Sequence, residues 1–236
     1  MRVGELEKKN IGLSHYVRVE KDERRGKITS YGGSQSYFTE DDRKSVTLRN
    51  FGCGLIGVVD LLLHVSGRDS DAIEISKYLR LTRNAEHFFH VRKGMGINGF
   101  MLAIFLQVYF WKHRMRYLVR WGVLPWNMKK KIKEMLRDDI PVIFSVGPGY
   151  FRKEKVTLYG HAFPGSTIDG PGLVAKTTAK DHYMTITGIY ETKHHGTVLR
   201  ISSWGNLFYI KWSEYIDYMR KYDNALFTNI LYVKKY

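Results

Sequence analysis

A change of pattern near residue 139 constrains the fold of this chain more than any other feature. Before it, apolar periodicity predicts four helices, which begin at Cys53, near Ser70, near residue 98 and at Pro125. After it, short β-branched and aromatic runs, bounded by Gly, Pro and Asp, predict strands. Helices followed by strands are typical of an α+β fold rather than an alternating α/β fold.

The 236 residues show no internal repeat and no linker rich in Pro, Gly or Ser, so we expect a single domain. The run CGLIGVVDLLLHV is apolar except at Asp60, which indicates a buried central helix packed on the sheet. We expect three parts in residues 1–236: a polar N-terminal arm at 1–30, a mainly helical half at 31–138, and a twisted antiparallel sheet half at 139–236.

Several local predictions complete this outline. The arm is expected to hold one edge strand at 15–19, and the charged stretch 39–45 is predicted to be a loop. The third helix is predicted at 98–120, apolar early and basic late, and the fourth at 125–139.

Composition limits the chemistry. The single cysteine excludes an internal disulfide framework and zinc fingers built on paired cysteines. The start of the chain has no apolar signal segment, and the most apolar stretch is too short to span a bilayer, so we expect a cytoplasmic protein without a membrane span. His87 and His90 share a predicted helix face, but no further ligands complete a site there, so neither a metal nor a cofactor is expected.

The lone Cys53 lies between two glycines where the central helix begins. The positive end of the helix dipole favours a thiolate there, which lowers the pKa of a thiol and produces a nucleophile. Alternatively, Cys53 is a small buried apolar residue. His182, at the mouth of a predicted strand, could act as a general base toward the thiol, and a polar group at the end of the next strand, in SSWG, could orient the imidazole.

The order of these elements resembles the papain-like cysteine peptidase superfamily, whose His and Asn follow the Cys by about 130 to 150 residues. Here His182 lies 129 residues and Ser202 149 residues after Cys53. The segments KIKEMLRDDIPVIFSV and NLFYIKWSEYIDY are similar to the bacterial branch that includes double-glycine leader peptidases. The resemblance covers residues 31–236.

The resemblance implies a role for each site residue. Cys53 would be the nucleophile and His182 the general base; Ser202, where the family has Asn, would orient the imidazole; Trp204 would shield that hydrogen bond. The residue six positions before the Cys is Thr47, not the family's oxyanion Gln. Gln35, 18 residues before the Cys, takes that role if the predicted loop is an insertion, and Asn50 is a rival donor.

The function implied is thiol-dependent cleavage or transfer of an amide bond in a peptide or protein substrate, through an acyl-enzyme. Two alternatives remain open: an inactive papain-like binding module, and a basic binder of nucleic acid or of another anionic surface. The second rests on the net charge of +15 and on eight Lys or Arg without an acidic residue between Lys112 and Lys133, a patch that could attract an acidic partner. Recognised nucleic-acid motifs are absent from the sequence, so nucleic acid is not the expected partner.

Overall fold

A computed structural model describes residues 10–23, 26–39, 42–147, 153–163, 167–168 and 172–236. Helices and antiparallel sheets both contribute to it, which confirms the α+β class. The described helices are α1 Arg43–Phe51, α2 Cys53–Val65, α3 Ile75–Phe89, α4 Gly99–Lys112, α5 Pro125–Arg137 and α6 Trp212–Tyr222. The described strands are β1 Ile11–Gly12, β2 Arg18–Glu23, β3 Gly26–Tyr31, β4 Ile73–Glu74, β5 Tyr117–Trp121, β6 Val142–Val146, β7 Val156–His161, β8 Leu173–Ala179, β9 His182–Thr192, β10 Gly196–Ser203, β11 Asn206–Lys211 and β12 Leu231–Lys235.

The largest sheet in the described part of the chain has seven antiparallel strands in the order β1-β9-β10-β11-β7-β8, with β6 also paired to β9. Strand β9 is central because both of its edges are used. One edge pairs with β10, and the other pairs with β6 at Ile186 and with β1 at Ile189. This arrangement buries β9 from Met184 to Ile189 and fixes the position of His182 at its first residue.

Helix α2 packs against β6 and β9, as expected for a buried central helix. Its residues from Gly54 to Leu61 are all buried. Gly57 permits the close approach, since a Cβ there would lie 3.3 Å from the side chain of Ile143. The helix is therefore held firmly between the sheet and the rest of the chain, and its first residue is Cys53.

The predicted arm and loop are wrong in part. In place of one edge strand at 15–19, β2 and β3 form a hairpin that β4 extends with parallel pairing. The predicted loop at 39–45 overlaps α1, which begins at Arg43 because the Asp42 side chain accepts hydrogen bonds from the backbone N–H groups of Lys44 and Ser45. Residues 1–9 of the arm lie outside the described residues.

Long-range pairing also corrects the helix bounds. The third predicted helix ends at Lys112 instead of 120, because residues 117–121 form β5 and pair with β12 near the end of the chain. The second starts at Ile75, because residues 73–74 pair with β2. The two predicted halves are thus interleaved, and the sheet half also contains α6.

In the residues that the structure describes, no helix alone has the length and hydropathy to cross a membrane. Helices α1 and α2 pass that test only as a pair bent by 85°, and α4 is a shorter apolar helix.

Candidate active site

Cys53 lies at the N-terminus of α2 because the chain bends sharply just before it. Helices α1 and α2 meet at Gly52 with an angle of 85°. A Cβ on Gly52 would lie 2.3 Å from the carbonyl oxygen of Leu48, so the bend requires glycine. The junction leaves Cys53 partly exposed, while the residues that follow are buried.

The side chain of Cys53 lines a small cavity with the other residues singled out from the sequence. The cavity measures about 20 Å³, enough for one water-sized group. The structure therefore brings together the five predicted site residues, which are Gln35, Cys53, His182, Ser202 and Trp204. The rest of the lining is Gly33, Ser34, Ile56, Gly57, Asp60, Tyr183, Met184, Thr185 and Ser203.

The imidazole of His182 is buried, and its orientation is fixed by a hydrogen bond at one ring nitrogen and by stacking on one face. Its Nε2 lies 2.9 Å from Ser203 Oγ, and Trp204 stacks on the ring with 4.5 Å between centroids. When the Ser203 hydroxyl accepts a hydrogen bond from Nε2–H, the lone pair is on Nδ1. Trp204 and Gly205 form the turn between β10 and β11 with φ of 50° and 75°, and this tight hairpin turn places the indole over His182.

The prediction that Ser202 contacts the imidazole is wrong, and the neighbouring Ser203 makes that contact. The hydrogen bond to the ring comes from Ser203, while Ser202 Oγ donates to the backbone carbonyl of Tyr31 at 2.8 Å. Successive side chains of a strand point to opposite faces, so the two serines of β10 reach different partners. Ser202 anchors the segment that leads to Gln35.

The segment from Tyr31 to Gln35 is fixed by backbone hydrogen bonds from three sides. Tyr31 N–H donates to the carbonyl of Gly205 at 2.9 Å, and Gly32 N–H donates to the carbonyl of Val17 at 2.7 Å. Gly33 N–H donates to the carboxylate of Asp60 at 2.9 Å. These bonds tie the segment to the β10–β11 turn, to the N-terminal segment and to α2.

Gln35 begins a short 3-10 helix at the end of this segment and lines the cavity. Its Oε1 is buried and has no hydrogen-bond partner among the described residues. A flip of the amide exchanges its oxygen and nitrogen, so this end of the side chain can accept from or donate to a ligand. Asn50, the rival donor, is exposed and does not line the cavity.

Asp60 is a site residue that the sequence analysis did not assign. Two turns after Cys53 on α2, its carboxylate accepts hydrogen bonds from Tyr78 Oη at 2.7 Å and Tyr16 Oη at 3.2 Å, besides the one from Gly33. Burial raises the pKa of Asp60 to about 6, although these donors lower it. The available signal was its position as the only charged residue in an apolar helix.

Although the Cys53 residue as a whole is partly exposed, desolvation controls the electrostatics of its thiol as well as those of the buried imidazole. It raises the pKa of Cys53 above its ordinary value, and backbone hydrogen bonds at Tyr183, Gly54 and Cys53 itself lower the pKa by less. It lowers the pKa of His182 to about 4. The prediction that the helix dipole lowers the thiol pKa is therefore wrong for the protein without substrate. Desolvation raises the pKa by more than the backbone donors lower it. Burial thus favours the uncharged form of both groups.

Fold and cavity together describe the class of this protein. It is an α+β protein in which one cavity is lined by the thiol of Cys53 at a helix start, the buried imidazole of His182 and the side-chain amide of Gln35. No protein-family model, no curated protein and no solved structure matches the chain.

Proposed function

We propose that the chain is a papain-like thiol peptidase or amide-bond transferase that acts on a peptide through an acyl-enzyme. The observation that carries the proposal is the set of side chains around one cavity: Cys53, His182 and Gln35, whose amide oxygen is buried without a hydrogen-bond partner among the described residues. A lone cysteine is a common buried residue, but a cysteine that shares a cavity with an oriented imidazole and a spare hydrogen-bonding group has the parts that acyl transfer needs.

These positions support a two-step acyl transfer. Cys53 Sγ attacks the substrate carbonyl carbon, and its proton passes to His182 Nδ1, which holds a lone pair while Nε2–H is bonded to Ser203. The Gln35 amide and the Cys53 backbone N–H stabilise the oxyanion. His182 then gives the proton to the leaving amine as the C–N bond breaks. Water or a second amine cleaves the thioester and completes hydrolysis or transfer.

The cavity size limits which part of the substrate it accepts. About 20 Å³ admits a carbonyl oxygen or a water molecule but no side chain. We place only the reacting carbonyl in it, with the peptide chain across the surface outside. Because burial favours the uncharged forms of the thiol and the imidazole, proton transfer would accompany substrate binding.

A catalytically inactive papain-like binding module is the second candidate. The observation that favours it is the same burial, since a protonated thiol beside a neutral imidazole is a poor nucleophile until something changes its environment. The two candidates differ in whether His182 accelerates the chemistry of Cys53.

Labelling by peptide acyloxymethyl ketones, followed by intact mass, tests the proposal. These probes carry an electrophilic carbonyl, so we expect one adduct on the wild type and none on Cys53→Ala. His182→Ala should label about 10²-fold more slowly or worse, and Gln35→Ala should lose a similar factor. His194→Ala, which changes an exposed histidine outside the cavity, should label like the wild type.

Alkylation by iodoacetamide depends on access to the thiol and on its ionisation but not on the oxyanion donors, so it separates the two roles. His182→Ala should slow both reagents, whereas Gln35→Ala should slow only the peptide probe. Equal rates of the wild type and His182→Ala with both reagents would leave the inactive binding module as the function.

A further inference from the structure

A second polar cluster lies at the other end of α2. His64 is in the last turn of that helix, 11 residues and so about 16 Å along the axis from Cys53. His15, in the N-terminal segment, and Asp69, in the loop after α2, complete the cluster. The side chains of His64 and Asp69 are 1% and 0% exposed, and that of His15 is 46% exposed. Among the three side chains, that of His15 is therefore the one in contact with solvent.

The three side chains converge on one point. Asp69 Oδ2 lies 2.6 Å from His64 Nδ1, and Asp69 Oδ1 lies 3.0 Å from His15 Nε2. The two imidazole centroids are 4.9 Å apart. One ligand atom from each residue lies within 4.8 Å of the other two, and no other group of this kind is found among the described residues.

The two ring nitrogens of His64 both face oxygen atoms. Nε2 lies 2.9 Å from the backbone carbonyl oxygen of Asp139, which can only accept, so Nε2 carries the hydrogen. In a neutral imidazole the lone pair of Nδ1 then faces a carboxylate oxygen of Asp69. Two acceptors at that distance need a proton or a metal ion between them.

The surroundings match those of a metal-binding imidazole. Metal-ligating histidines donate their other ring N–H to a carbonyl or carboxylate, as His64 does to Asp139. His15 has an equivalent second partner, since its Nδ1 lies 2.9 Å from Ser14 Oγ. The Asp139 carboxylate, 3.5 Å from His64 Nε2, adds negative charge on the far side of the ring.

We propose that His15 Nε2, His64 Nδ1 and the Asp69 carboxylate bind one divalent transition-metal ion, with Zn²⁺ the ion that two nitrogens and one oxygen suit best. A tetrahedral zinc ion with bonds of about 2.0 to 2.2 Å needs its ligand atoms about 3.3 to 3.6 Å apart. The ion would therefore separate His64 Nδ1 and Asp69 Oδ2, which are 2.6 Å apart in the structure. The half-exposed His15 can adjust to complete the set of ligands, with the fourth position left for water. Such an ion would fasten the N-terminal segment to the end of α2, independently of the cavity at Cys53.

Zinc binding to the chelator-treated full chain tests the proposal, measured by titration calorimetry and by the visible spectrum of Co²⁺ as a substitute. The experiments use a Cys53→Ser background so that the thiol cannot contribute. We expect one ion per chain with a dissociation constant in the micromolar range or below and a rise in Tm. His15→Gln should weaken binding at least 10-fold, and Asp69→Asn should abolish it.

Because Asp69→Asn could also disturb the buried pair with His64, the half-exposed His15→Gln is the deciding variant. His87→Ala is the matched control, because it removes a histidine outside the cluster and should bind zinc like the parent. An absence of binding at 100-fold molar excess over micromolar protein, or equal affinity in His15→Gln and the parent, would overturn the proposal and leave a buried hydrogen bond between His64 and Asp69.

Discussion

At the residue scale, the buried carboxylate of Asp60 is the group that connects the catalytic proposal to the fold. It joins α2, which carries Cys53, to Gly33, two residues before Gln35. A side chain on Gly32 would lie 2.9 Å from the Asp60 carboxylate and 2.2 Å from Ser202 Oγ, so the segment can approach this closely only without one. Asp60 is thus a positioning residue for the proposed oxyanion donor.

The burial of Asp60 predicts a specific pH dependence of stability. Its pKa in the folded chain, about 6, is above the ordinary value of 3.8, so the folded state binds this proton more tightly than the unfolded state. The contribution of Asp60 therefore favours folding below about pH 4 and is lost as the pH rises through about 6. Relative to Asp60→Asn, the wild type should lose up to about 3 kcal/mol of unfolding free energy between pH 4 and pH 7.

Urea denaturation at pH 4, 5, 6 and 7 measures this difference. Asp217→Asn, on the exposed face of α6, controls for the loss of one negative charge. A difference between the wild type and Asp60→Asn that does not change with pH would contradict the assignment of the titration to Asp60.

At the element scale, the bend between α1 and α2 determines where Cys53 points. Local sequence predicts the start of α2, because apolar periodicity begins at Cys53 after a glycine. It does not predict α1, whose charged residues were assigned to a loop, nor the end of α4. Helix α4 ends where β5 finds its partner β12, more than 100 residues along the chain, and such pairing leaves no local signal.

Gly52→Ala should disturb this bend. The added Cβ would lie 2.3 Å from the Leu48 carbonyl oxygen, a backbone atom that can move only if α1 moves. We expect a loss of about 1 to 3 kcal/mol in unfolding free energy and slower labelling of Cys53 by peptide probes. Gly57→Ala, inside α2, would place its Cβ 3.3 Å from Ile143 Cγ1, a much milder contact, and should cost less. Equal stabilities of the two variants, measured by urea denaturation, would show that the bend tolerates a side chain.

At the scale of the whole molecule, the basic patch predicted between Lys112 and Lys133 is partly neutralised. Lys129 and Lys133 lie 3.0 Å and 3.1 Å from the Glu191 carboxylate, and Lys131 lies 2.6 Å from Glu134. Burial by itself would raise the pKa of Glu191, but hydrogen bonds from Thr197 and from both lysines lower it to about 2. Glu191 is on β9, about 60 residues from its lysines. The local sequence therefore predicts a purely basic patch, whereas folding brings a carboxylate next to it.

Glu191→Gln should therefore raise the affinity of the protein for polyanions, because it frees two lysines. We expect elution from heparin at higher salt than the wild type, with a loss of no more than about 1 kcal/mol in stability, since these ion pairs are only partly buried. Glu154→Gln makes the same charge change at an exposed position without a described ion pair to either lysine. Equal elution of the two variants would show that total charge, rather than the patch, controls binding.

The sequence by itself determined the α+β class, the buried helix that starts at Cys53 and the strand that starts at His182, because local periodicity and glycine placement act within one element. Five of the residues that line the cavity were predicted as well, partly through the resemblance to a known family, but Asp60 was not. Only the tertiary structure decided which serine reaches His182, how Asp60 holds the Gln35 segment, which lysines are neutralised and that His15, His64 and Asp69 meet. Each of these depends on contacts between distant segments and on the burial that raises or lowers a pKa, and neither is set until the chain has folded.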